Sequence, residues 1–448
     1  MSPVTDVLRR TLGERLRSDA LWCVALSGGL DSTVLLHSLC ALRPEYPGCL
    51  IRAAHVNHGL HPKAHDWSAH CERFCRELGV PLHIENVEID VAGGTGLEAA
   101  ARNARYGVFE RLIVRDECLL TAHHQDDQVE TVLLRVLRGS GPHGLGGIPA
   151  HARFGAGWLI RPFLDQSRQA LVDYARAAEL DWFDDPSNTD TGFDRNYLRH
   201  EIVPRLRKRW PGMGKTVGRA ARLSFDAASL LDSLAENDSR EISRDGAVCL
   251  NGLRALTPSR RHNVIRHLLN RRGLDMPTEL QLQTGLQQLM SAKPDRQPIV
   301  CWGRVQVRRY RDRLFFLDFD PSAASEGLPR GYEWDGRVAI DMGPLRGRLS
   351  LVPDHAGAVA IPVATDRIGI NFRRGGERIK DVNQRHHKAL KKLFQQHGIF
   401  PWMRSHVPLL YLQDRLLAVG DLWVAAESAA KSSEPRYRIV WENHPRIQ

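Results

Sequence analysis

Features that commonly place a chain in a class are missing from this sequence of 448 residues. Its eight cysteines include no Cys-x-x-Cys pair, so they do not indicate a disulfide framework. No segment approaches the roughly 18 uninterrupted apolar residues of a membrane span, and the N-terminus has no apolar centre of a secretory signal. We therefore expect a protein of the reducing cytoplasm, with Cys23, Cys40 and Cys118 as buried thiols in apolar segments.

Positive charge is present in excess. Lysine and arginine number 62 against 52 aspartates and glutamates, which gives a formal net charge of +10. Such a balance favours a polyanionic partner or a phosphate-bearing substrate, although charge alone does not identify it. The fractions of hydrophobic and charged residues, 42% and 25%, are those of a folded globular protein.

Short β-rich segments alternate with longer helical segments between Leu21 and about Asp165. This order is typical of βαβ units and predicts an α/β, Rossmann-like fold with a parallel sheet that carries helices on both faces. The apolar periodicity predicts strands at residues 21–26, 51–57, 81–89 and 117–123, and helices at 32–42, 65–78, 96–114 and 126–139.

Changes of pattern along the chain predict three domains. Residues 1–214 form the α/β domain, and residues 215–320 form a mainly helical middle domain that ends in a hairpin. Residues 330–448 form a small α/β domain with one clear helix at 386–398. The segment from Asp320 to Gly331 has the composition of a linker.

The segment SGGLDS, Ser27 to Ser32, follows the first strand and opens a helix. Backbone N–H groups at such a position bind phosphate, and Gly28 and Gly29 allow close approach. No lysine precedes Ser32, and the glycine spacing is not that of a dinucleotide fingerprint. The positive charge must then come from backbone amides, arginines and a metal, which makes Asp31 a candidate Mg²⁺ ligand. Alternatively, Asp31 only caps a helix that begins near Thr33.

The segment TAHHQDDQVET also ends a strand and starts a helix. Asp127 and Glu130 lie three residues apart, so both carboxylates face one side of the first turn and can hold Mg²⁺ or the ammonium of an amine substrate. His123 and His124 can ligate a metal or transfer protons. Alternatively, the helix is simply capped, with acids that complement its positive end. Ligands of open parallel sheets bind beyond the carboxyl ends of strands, where both this segment and SGGLDS lie.

Three further groups are weaker candidates. Asn57 and His58 end another strand, although a loop histidine with ordinary partners explains them equally well. Arg102 and Arg105 lie on consecutive turns of a helix and can point toward phosphate, but surface arginines at this spacing are common. The segment DRNYLRHEIVPRLRKRW suits either a nucleic-acid backbone or a solvated basic helix face.

The motifs SGGLDS, HVNHGL, AHHQDDQVET and RNYLRHEIVP together resemble tRNA(Ile)-lysidine synthetases, of the PP-loop, N-type ATP pyrophosphatase superfamily. The likeness covers nearly the whole chain and is most specific for residues 21–210. It implies that ATP adenylates the C2 carbonyl oxygen of the wobble cytidine in a CAU-anticodon isoleucine tRNA, with release of pyrophosphate. Free lysine then attacks C2 and expels AMP.

The resemblance also implies roles for single residues. Asp31, Asp127 and Glu130 would be catalytic, with Asp31 holding Mg²⁺ and the other two acids binding lysine. ATP would contact Ser27, Gly28, Gly29, Leu30, Asp31, Ser32 and Arg105. Further site candidates without a defined role are Asn57, His58, His123, His124 and Asp126, and the role of His61 is open. The tRNA would contact Arg195, Arg199, Arg205, Arg207, Arg373, Arg374, Lys388, Lys391 and Lys392, although the lysines alternatively serve solubility.

Other functions remain as alternatives. A PP-loop tRNA thiolase would use the same loop, but such enzymes commonly need paired cysteines, and only Cys71 and Cys75 are closely spaced. A metal-dependent phosphohydrolase would use HHQDD with water as the nucleophile. An RNA-binding module with a degenerate nucleotide site is disfavoured by the intact acids at both strand ends.

Overall fold

The computed structural model describes residues 3–15, 20–59, 62–89, 97–293, 296–319, 329–353, 367–381, 386–428 and 437–447. His61 and most of the predicted linker, residues 320–328, lie outside the described residues. The chain divides into two units of internal contacts, Met1–Ser233 and Leu234–Gln448. The limits of the three predicted domains stay a prediction. No helix in the described ranges is both long and apolar enough to cross a membrane.

The first unit alternates strands and helices. Its strands are β1 (Leu21–Ala25), β2 (Leu50–Asn57), β3 (Leu82–Asn86), β4 (Cys118–Leu120), β5 (His151–Phe154) and β6 (Gly157–Ile160). Its helices are α1 (Pro3–Leu12), α2 (Leu30–Cys40), α3 (Ala64–Glu77), α4 (Leu97–Leu112), α5 (Gln125–Leu137), α6 (Pro142–Leu145), α7 (Arg168–Ala177), α8 (Asp194–Tyr197), α9 (Val203–Arg209) and α10 (Met213–Ile242), of which α10 continues into the second unit.

The six strands form one sheet in the order β3-β2-β1-β4-β6-β5. All neighbouring pairs are parallel except β5 with β6, so the predicted parallel sheet is confirmed. The chain builds outward from β1 through β2 to β3 and then returns to place β4 on the other side of β1. The strand order therefore reverses between β1 and β4, and ligands of such sheets bind beyond the carboxyl ends of the strands at this point.

Helices cover both faces of the sheet, as predicted. Alternate residues of β1 point to opposite faces, so Trp22 and Val24 join one core and Cys23 joins another. The first core is completed by α1, α2, α3 and α7, and the second by Val108 and Phe109 of α4. Cys23 and Cys118 are buried as predicted, whereas Cys40 is half-buried.

The second unit combines short helices with antiparallel sheets. Its helices are α11 (Leu250–Ala255), α12 (Pro258–Arg271), α13 (Glu279–Ser291) and α14 (Leu390–Gln396). The described strands are β7 (Ser243–Arg244), β8 (Ala247–Cys249), β9 (Ile299–Trp302), β10 (Val305–Tyr310), β11 (Arg313–Asp318), β12 (Gly331–Trp334), β13 (Ile340–Asp341), β14 (Arg348–Pro353), β15 (Ile368–Phe372), β16 (Arg378–Ile379), β17 (Lys388–Ala389), β18 (Pro408–Leu412), β19 (Arg415–Val419), β20 (Trp423–Val424) and β21 (Tyr437–Glu442).

These strands form a sheet β7-β8-β11-β10-β9, a second sheet β12-β15-β18-β19-β20, and two smaller ones, β13-β14-β21 and β16-β17. The hairpin predicted before Phe319 is wrong in strand number. Two turns with positive φ, at Gly303 (50°) and Arg311 (54°), reverse the chain twice and make three strands, β9 to β11. Leu390, Leu393 and Phe394 anchor α14 in the core beside the second sheet.

Candidate active site

The predicted phosphate loop lies between β1 and α2, at the carboxyl edge of the sheet. Helix α2 begins at Leu30, and its N-cap Gly29 is extended (φ −80°, ψ 164°) with no side-chain cap in this described segment. Asp31 therefore belongs to the first turn, and the alternative that it caps a helix beginning near Thr33 is wrong. The N–H groups of a first turn lack intrahelical acceptors, so they are available to an anion.

Two serines fix the shape of this loop. The Ser27 N–H donates to Ser32 Oγ over 3.1 Å, and the two hydroxyl oxygens are 3.0 Å apart. Ser32 Oγ in turn donates to the Gly29 carbonyl oxygen over 3.1 Å. Leu30 is buried in the core, so at this position the loop offers only backbone atoms.

The loop is also held from behind by other parts of the first unit. Gly28 has a φ of 80°, a conformation that favours glycine. A Cβ atom there would lie 3.1 Å from Cys71 Sγ on α3, which leaves little room for a side chain. The Gly28 carbonyl oxygen accepts a hydrogen bond of 2.9 Å from the Phe183 N–H. Sequence reasoning did not identify Cys71 or Phe183 as supports of the loop.

Asp31 has one carboxylate oxygen without a partner. Its Oδ1 is buried and has no hydrogen-bond partner among the residues that the structure describes, while Oδ2 lies 3.5 Å from His124 Nε2. Buried polar atoms are nearly always satisfied in native proteins, so an unsatisfied carboxylate oxygen at a ligand edge points to a missing cation.

These residues fit a magnesium ion bound together with a nucleotide. Mg²⁺ is commonly held by one or two carboxylates, with substrate phosphates and water as the other ligands. Within the described ranges no three His, Cys, Asp or Glu side chains cluster as a metal site, so the fit is not that of an all-protein cage. Asp31 Oδ1 supplies the carboxylate, and the first turn of α2 is next to it.

His124 caps the second helix of the site. It is the N-cap of α5, where its Nδ1 accepts the Asp126 N–H over 3.2 Å. Asp127 Oδ2 completes the capping box by accepting the His124 N–H over 3.0 Å. The capping alternative is therefore correct for one oxygen of Asp127, but it does not account for Glu130.

The protonation of His124 is set by opposing effects. Burial lowers its pKa, but the hydrogen bond with Asp31 and the charges of Asp127, Asp31 and Asp126 raise it, and the net shift is upward. The capping geometry, in contrast, requires an unprotonated Nδ1. We assign the proton of the neutral ring to Nε2, which faces Asp31, because Nδ1 accepts a hydrogen bond.

The predicted acid pair is fully engaged by two arginines. Arg195 reaches Asp127 Oδ1 and Glu130 Oε2, each over 2.8 Å. Arg199 reaches Glu130 Oε1 over 2.7 Å and Asp127 Oδ1 over 3.3 Å. Glu130 is 1% exposed, so this cluster of two acids and two arginines is largely removed from solvent. Burial raises the pKa of Asp127, but His124, Arg195 and His123 lower it further, to about 2.

The arginines owe their position to a helix that packs on α5. Val203 of α9 and Met213 of α10 bury against Val129 of α5. Between α8 and α9 the chain makes a π-helical turn over Leu198–Ile202, and Pro204 follows as a residue that cannot donate to a regular ladder. The sequence analysis predicted Arg195 and Arg199 as tRNA contacts, whereas the structure brings them to the acid pair. Their individual roles stay predictions.

His123 lies on the other side of the acid pair and faces a second group of cations. Its Nδ1 is 2.9 Å from Thr121 Oγ1. Burial lowers the pKa of His123 to about 3, against the opposing charge of Asp127 and with help from Arg161, Arg102 and Arg195. Sequence reasoning missed Arg161, although a signal exists: it is the one charge within the otherwise apolar segment WLIRPFL.

Asn57 and His58 differ in their surroundings. Asn57 is buried, donates to Ser68 Oγ over 3.3 Å and accepts the Gly59 N–H over 2.9 Å, so its amide shapes a turn. His58 Nε2 accepts a hydrogen bond of 3.2 Å from Arg105 Nε. Burial and the charges of Arg105 and His55 lower the pKa of His58 to about 4. Arg105 is thereby joined to the end of β2.

The remaining basic candidates occupy exposed surfaces. Arg207 pairs with Asp126 over 2.8 Å, and Arg205 pairs with Glu201 over 3.2 Å on its own helix. In the second unit, Arg373 is half-buried 3.8 Å from Glu377, and Glu377 also accepts the backbone N–H of Arg374. Exposed side chains beside or on α14 are those of Lys388, Lys391 and Lys392.

The cysteines give no support to sulfur chemistry. Cys71 and Cys75 are both buried, and burial raises the pKa of each thiol to about 12. A thiol with such a pKa is almost entirely protonated at neutral pH and is a poor nucleophile and metal ligand. The thiolase alternative is therefore not favoured by these two residues.

A parallel sheet whose strand order reverses at a glycine and serine loop, with a carboxylate in place of the lysine of other phosphate loops, defines a PP-loop protein. A family model described as a PP-loop domain matches residues 4–206. Models described as a TilS substrate binding domain and a TilS substrate C-terminal domain match residues 249–315 and 368–441. The chain belongs to the tRNA(Ile)-lysidine synthase family.

Curated relatives match over almost their full length. A tRNA(Ile)-lysidine synthase of Alkalilimnicola ehrlichii is 40% identical over 99% of this chain and 99% of its own. Those of Coxiella burnetii and Pectobacterium atrosepticum are each 38% identical, over 94% and 98% of this chain and 92% and 98% of their own. Among solved structures, the tRNA thiolase NcsA from Methanococcus maripaludis is 20% identical with a TM-score of 0.44, covering 50% of this chain and 78% of that one.

Proposed function

We propose that the protein joins free lysine to C2 of the wobble cytidine of CAU-anticodon isoleucine tRNA, at the expense of ATP. The observation that carries the proposal is the meeting, beside the β1 and β4 strand ends, of a phosphate loop, an unsatisfied Asp31 oxygen and a buried acid pair. Family membership supports the same conclusion.

In the first half-reaction, the C2 oxygen of cytidine attacks the α-phosphorus of ATP, and the bond to the β-phosphate breaks to release pyrophosphate. The loop of Ser27 to Ser32 binds the phosphates through the N–H groups that α2 leaves without acceptors. Asp31 holds Mg²⁺, which neutralises the charge that develops on the leaving pyrophosphate. A lysine directed at a γ-phosphate is not needed for cleavage between the α- and β-phosphates.

In the second half-reaction, the unprotonated amine of lysine attacks C2, the bond from C2 to oxygen breaks, and AMP leaves with that oxygen. Asp127 and Glu130 bind an ammonium group of lysine, and in the free protein Arg195 and Arg199 occupy both acids. Binding of lysine is then an exchange of cations within a site whose carboxylates are already ionised. His123, His124 and Asp126 line the same helix start.

The tRNA is proposed to bind along basic surfaces of both units. Arg205 and Arg207 flank the acid pair, and residues 215–320 and 330–448 act as tRNA-binding domains beside a catalytic domain of residues 1–214. Positively charged side chains at such sites contact phosphates and set the register of the RNA. The contacts proposed for the second unit are Arg373, Arg374, Lys388, Lys391 and Lys392. The cytoplasm is the proposed compartment.

The direct test combines the protein with ATP, Mg²⁺, labelled lysine and a transcript of the isoleucine tRNA. We expect label to enter this tRNA and not methionine tRNA with the same anticodon. Absence of label in both transcripts would overturn the proposal. Label without ATP, or phosphate release without lysine transfer, would instead favour the phosphohydrolase alternative.

A further inference from the structure

Arg161 is a buried cation at the ligand edge of the sheet. It follows Ile160, the last residue of β6, and Ile160 pairs with Leu120 of β4. The Thr121 N–H donates to the Ile160 carbonyl oxygen over 3.1 Å, so Arg161 lies beside the segment that leads to His123 and Asp127. The residue is 6% exposed.

No described carboxylate neutralises this guanidinium. Its Nη1 donates to the Pro149 carbonyl oxygen over 2.7 Å, while its Nε is buried without a partner in the described part of the chain. None of the ion pairs of the described residues includes Arg161, whereas Asp127 and Glu130 nearby are both paired with arginines. A buried charge with unused donors is costly unless a ligand of opposite charge completes it.

Two neighbours extend Arg161 into a basic recess. Tyr106 interacts with Arg161 and also accepts a hydrogen bond of 3.4 Å from Arg102 Nη2. Arg102 is exposed, and like Arg161 it forms no ion pair with a described carboxylate. The recess therefore has a buried guanidinium at its base, an exposed one at its rim, and His123 toward the acid pair.

We propose that Arg161, with Arg102 at the rim, binds the α-carboxylate of the amino-acid substrate. The inference rests on the proposed function, because lysine carries a carboxylate in addition to two amines. The acid pair can attract only the amines, and the planar guanidinium matches a carboxylate with two parallel hydrogen bonds. Opposite charges at neighbouring positions then orient one amino acid in a single direction.

The burial of Arg161 argues against a phosphate as its ligand. A backbone phosphate of RNA is bulky and solvated, whereas this guanidinium is reached only through a narrow opening, since it is 6% exposed. The phosphates of ATP belong to the loop after β1, and β4 lies between β1 and β6. Two strand spacings, about 10 Å, separate those strands.

The test compares lysine with lysinamide, which keeps both amines and lacks the carboxylate charge. For the wild-type protein we expect kcat/KM to be about 100-fold higher with lysine. Arg161→Gln is expected to remove most of this preference, by lowering kcat/KM for lysine while changing that for lysinamide by less than about threefold. Arg161→Lys, which keeps the charge but not the fork, is expected to give an intermediate preference.

Pyrophosphate release from ATP and tRNA without lysine shows whether each variant is folded and competent in the first half-reaction. Arg153→Gln is the matched control, because Arg153 is exposed on neighbouring β5 and lies over the Trp158 ring. If Arg161→Gln abolishes pyrophosphate release, Arg102→Gln at the exposed rim decides, with an expected fivefold or so loss of the preference.

Equal losses with lysine and lysinamide would assign Arg161 a structural role and overturn the inference. A raised KM for tRNA with an unchanged preference would overturn it in favour of an RNA phosphate. Failure of the wild-type protein to transfer lysine at all would refute the proposed function, which is a different result from lysine transfer without discrimination.

Discussion

At the scale of single residues, the acid pair of the site is kept ionised by its neighbours. Asp127 and Glu130 share two arginines through five contacts of 3.3 Å or less, with Glu130 almost inaccessible. Removing one partner from such a buried network leaves a charge uncompensated. A substitution here therefore alters both substrate binding and the arrangement of the remaining three side chains.

Replacing either acid by its amide is predicted to weaken lysine binding selectively. For Asp127→Asn and for Glu130→Gln we expect the lysine KM to rise about 10- to 100-fold, because one carboxylate charge is lost, and the ATP KM to change much less. Asp194→Asn is a matched control, since Asp194 is an exposed acid on α8. Steady-state kinetics with each substrate varied separately would measure this, and an unchanged lysine KM in both variants would contradict the assigned role.

Two buried histidines are predicted to make stability depend on pH. The pKa of His123 is lowered to about 3 and that of His58 to about 4, from a usual 6.5. Because the folded state excludes protons that the unfolded state binds, their contribution is complete above pH 6.5 and is lost as pH falls toward 4. We expect His123→Gln and His58→Gln variants to lose less unfolding free energy than wild type between pH 7 and pH 5.

Urea unfolding at several pH values would measure this slope. His65→Gln is the control, because His65 is exposed on α3 and should leave the slope as in the wild-type protein. Parallel slopes for the wild type and the two buried-histidine variants would show that these rings are not the source of the pH dependence.

At the scale of elements, the phosphate loop depends on glycine for two separate reasons. Gly28 needs both a positive φ of 80° and space beside Cys71, whereas Gly79 has a φ of 60° and nothing within 4 Å of the position that a Cβ atom would take. The two glycines therefore separate conformational strain from close packing. Neither requirement is visible in the pattern of residue types, which shows only that a glycine is present.

The Gly28→Ala and Gly79→Ala pair gives a prediction about the loop. Each is expected to cost about 1–2 kcal/mol of stability, because alanine disfavours positive φ. Only Gly28→Ala should also slow pyrophosphate release, by about tenfold or more, since the loop must move away from Cys71. Thermal unfolding and pyrophosphate release measure the two effects, and equal activity of both variants would mean that the loop tolerates a Cβ.

The elements that sequence reasoning predicted are those with a strong period. Alternation in β1 and helical spacing in α2 to α5 arise from burial on defined faces, so the parallel sheet and its site could be foreseen. The two- and three-residue strands β7 and β8 are too short to show a period. The π-turn at Leu198–Ile202 depends on packing against α5, and the link from Arg195 to Glu130 spans 65 residues. No local pattern contains such information.

At the scale of the whole molecule, positive charge is distributed over both units. The C-terminal candidates Lys388, Lys391 and Lys392 are exposed because the apolar face of α14 is buried. The sequence predicted these exposed lysines correctly from the helical pattern, but the geometry of the half-buried Arg373, held near Glu377 by a glycine turn, was not foreseen. Long-range charge is readable from composition, whereas the partner of each charge is not.

Removing the three lysines is predicted to weaken tRNA binding in a salt-dependent way. The Lys388→Ala, Lys391→Ala, Lys392→Ala variant should lose about 0.7 to 0.9 in salt slope for each phosphate contact, with the lysine KM unchanged. A triple alanine variant of Arg10, Arg76 and Arg115 is the control, because these exposed arginines precede strands and lie at the opposite edge of the sheet. Filter binding across a salt series decides, and identical slopes for both triple variants would remove the lysines from the interface.

The paired arginines of the acid cluster also mean that the resting protein carries a resident competitor for its own substrate. A bare pair of buried carboxylates would collect potassium, polyamines or any small cation of the cell, whereas Asp127 and Glu130 present none of that attraction while Arg195 and Arg199 are in place. Only a ligand that also compensates the displaced guanidinium groups gains from entering. Nucleotide phosphates would offer such compensation, so the order in which ATP and the amine arrive follows from an ion pair rather than from a moving lid.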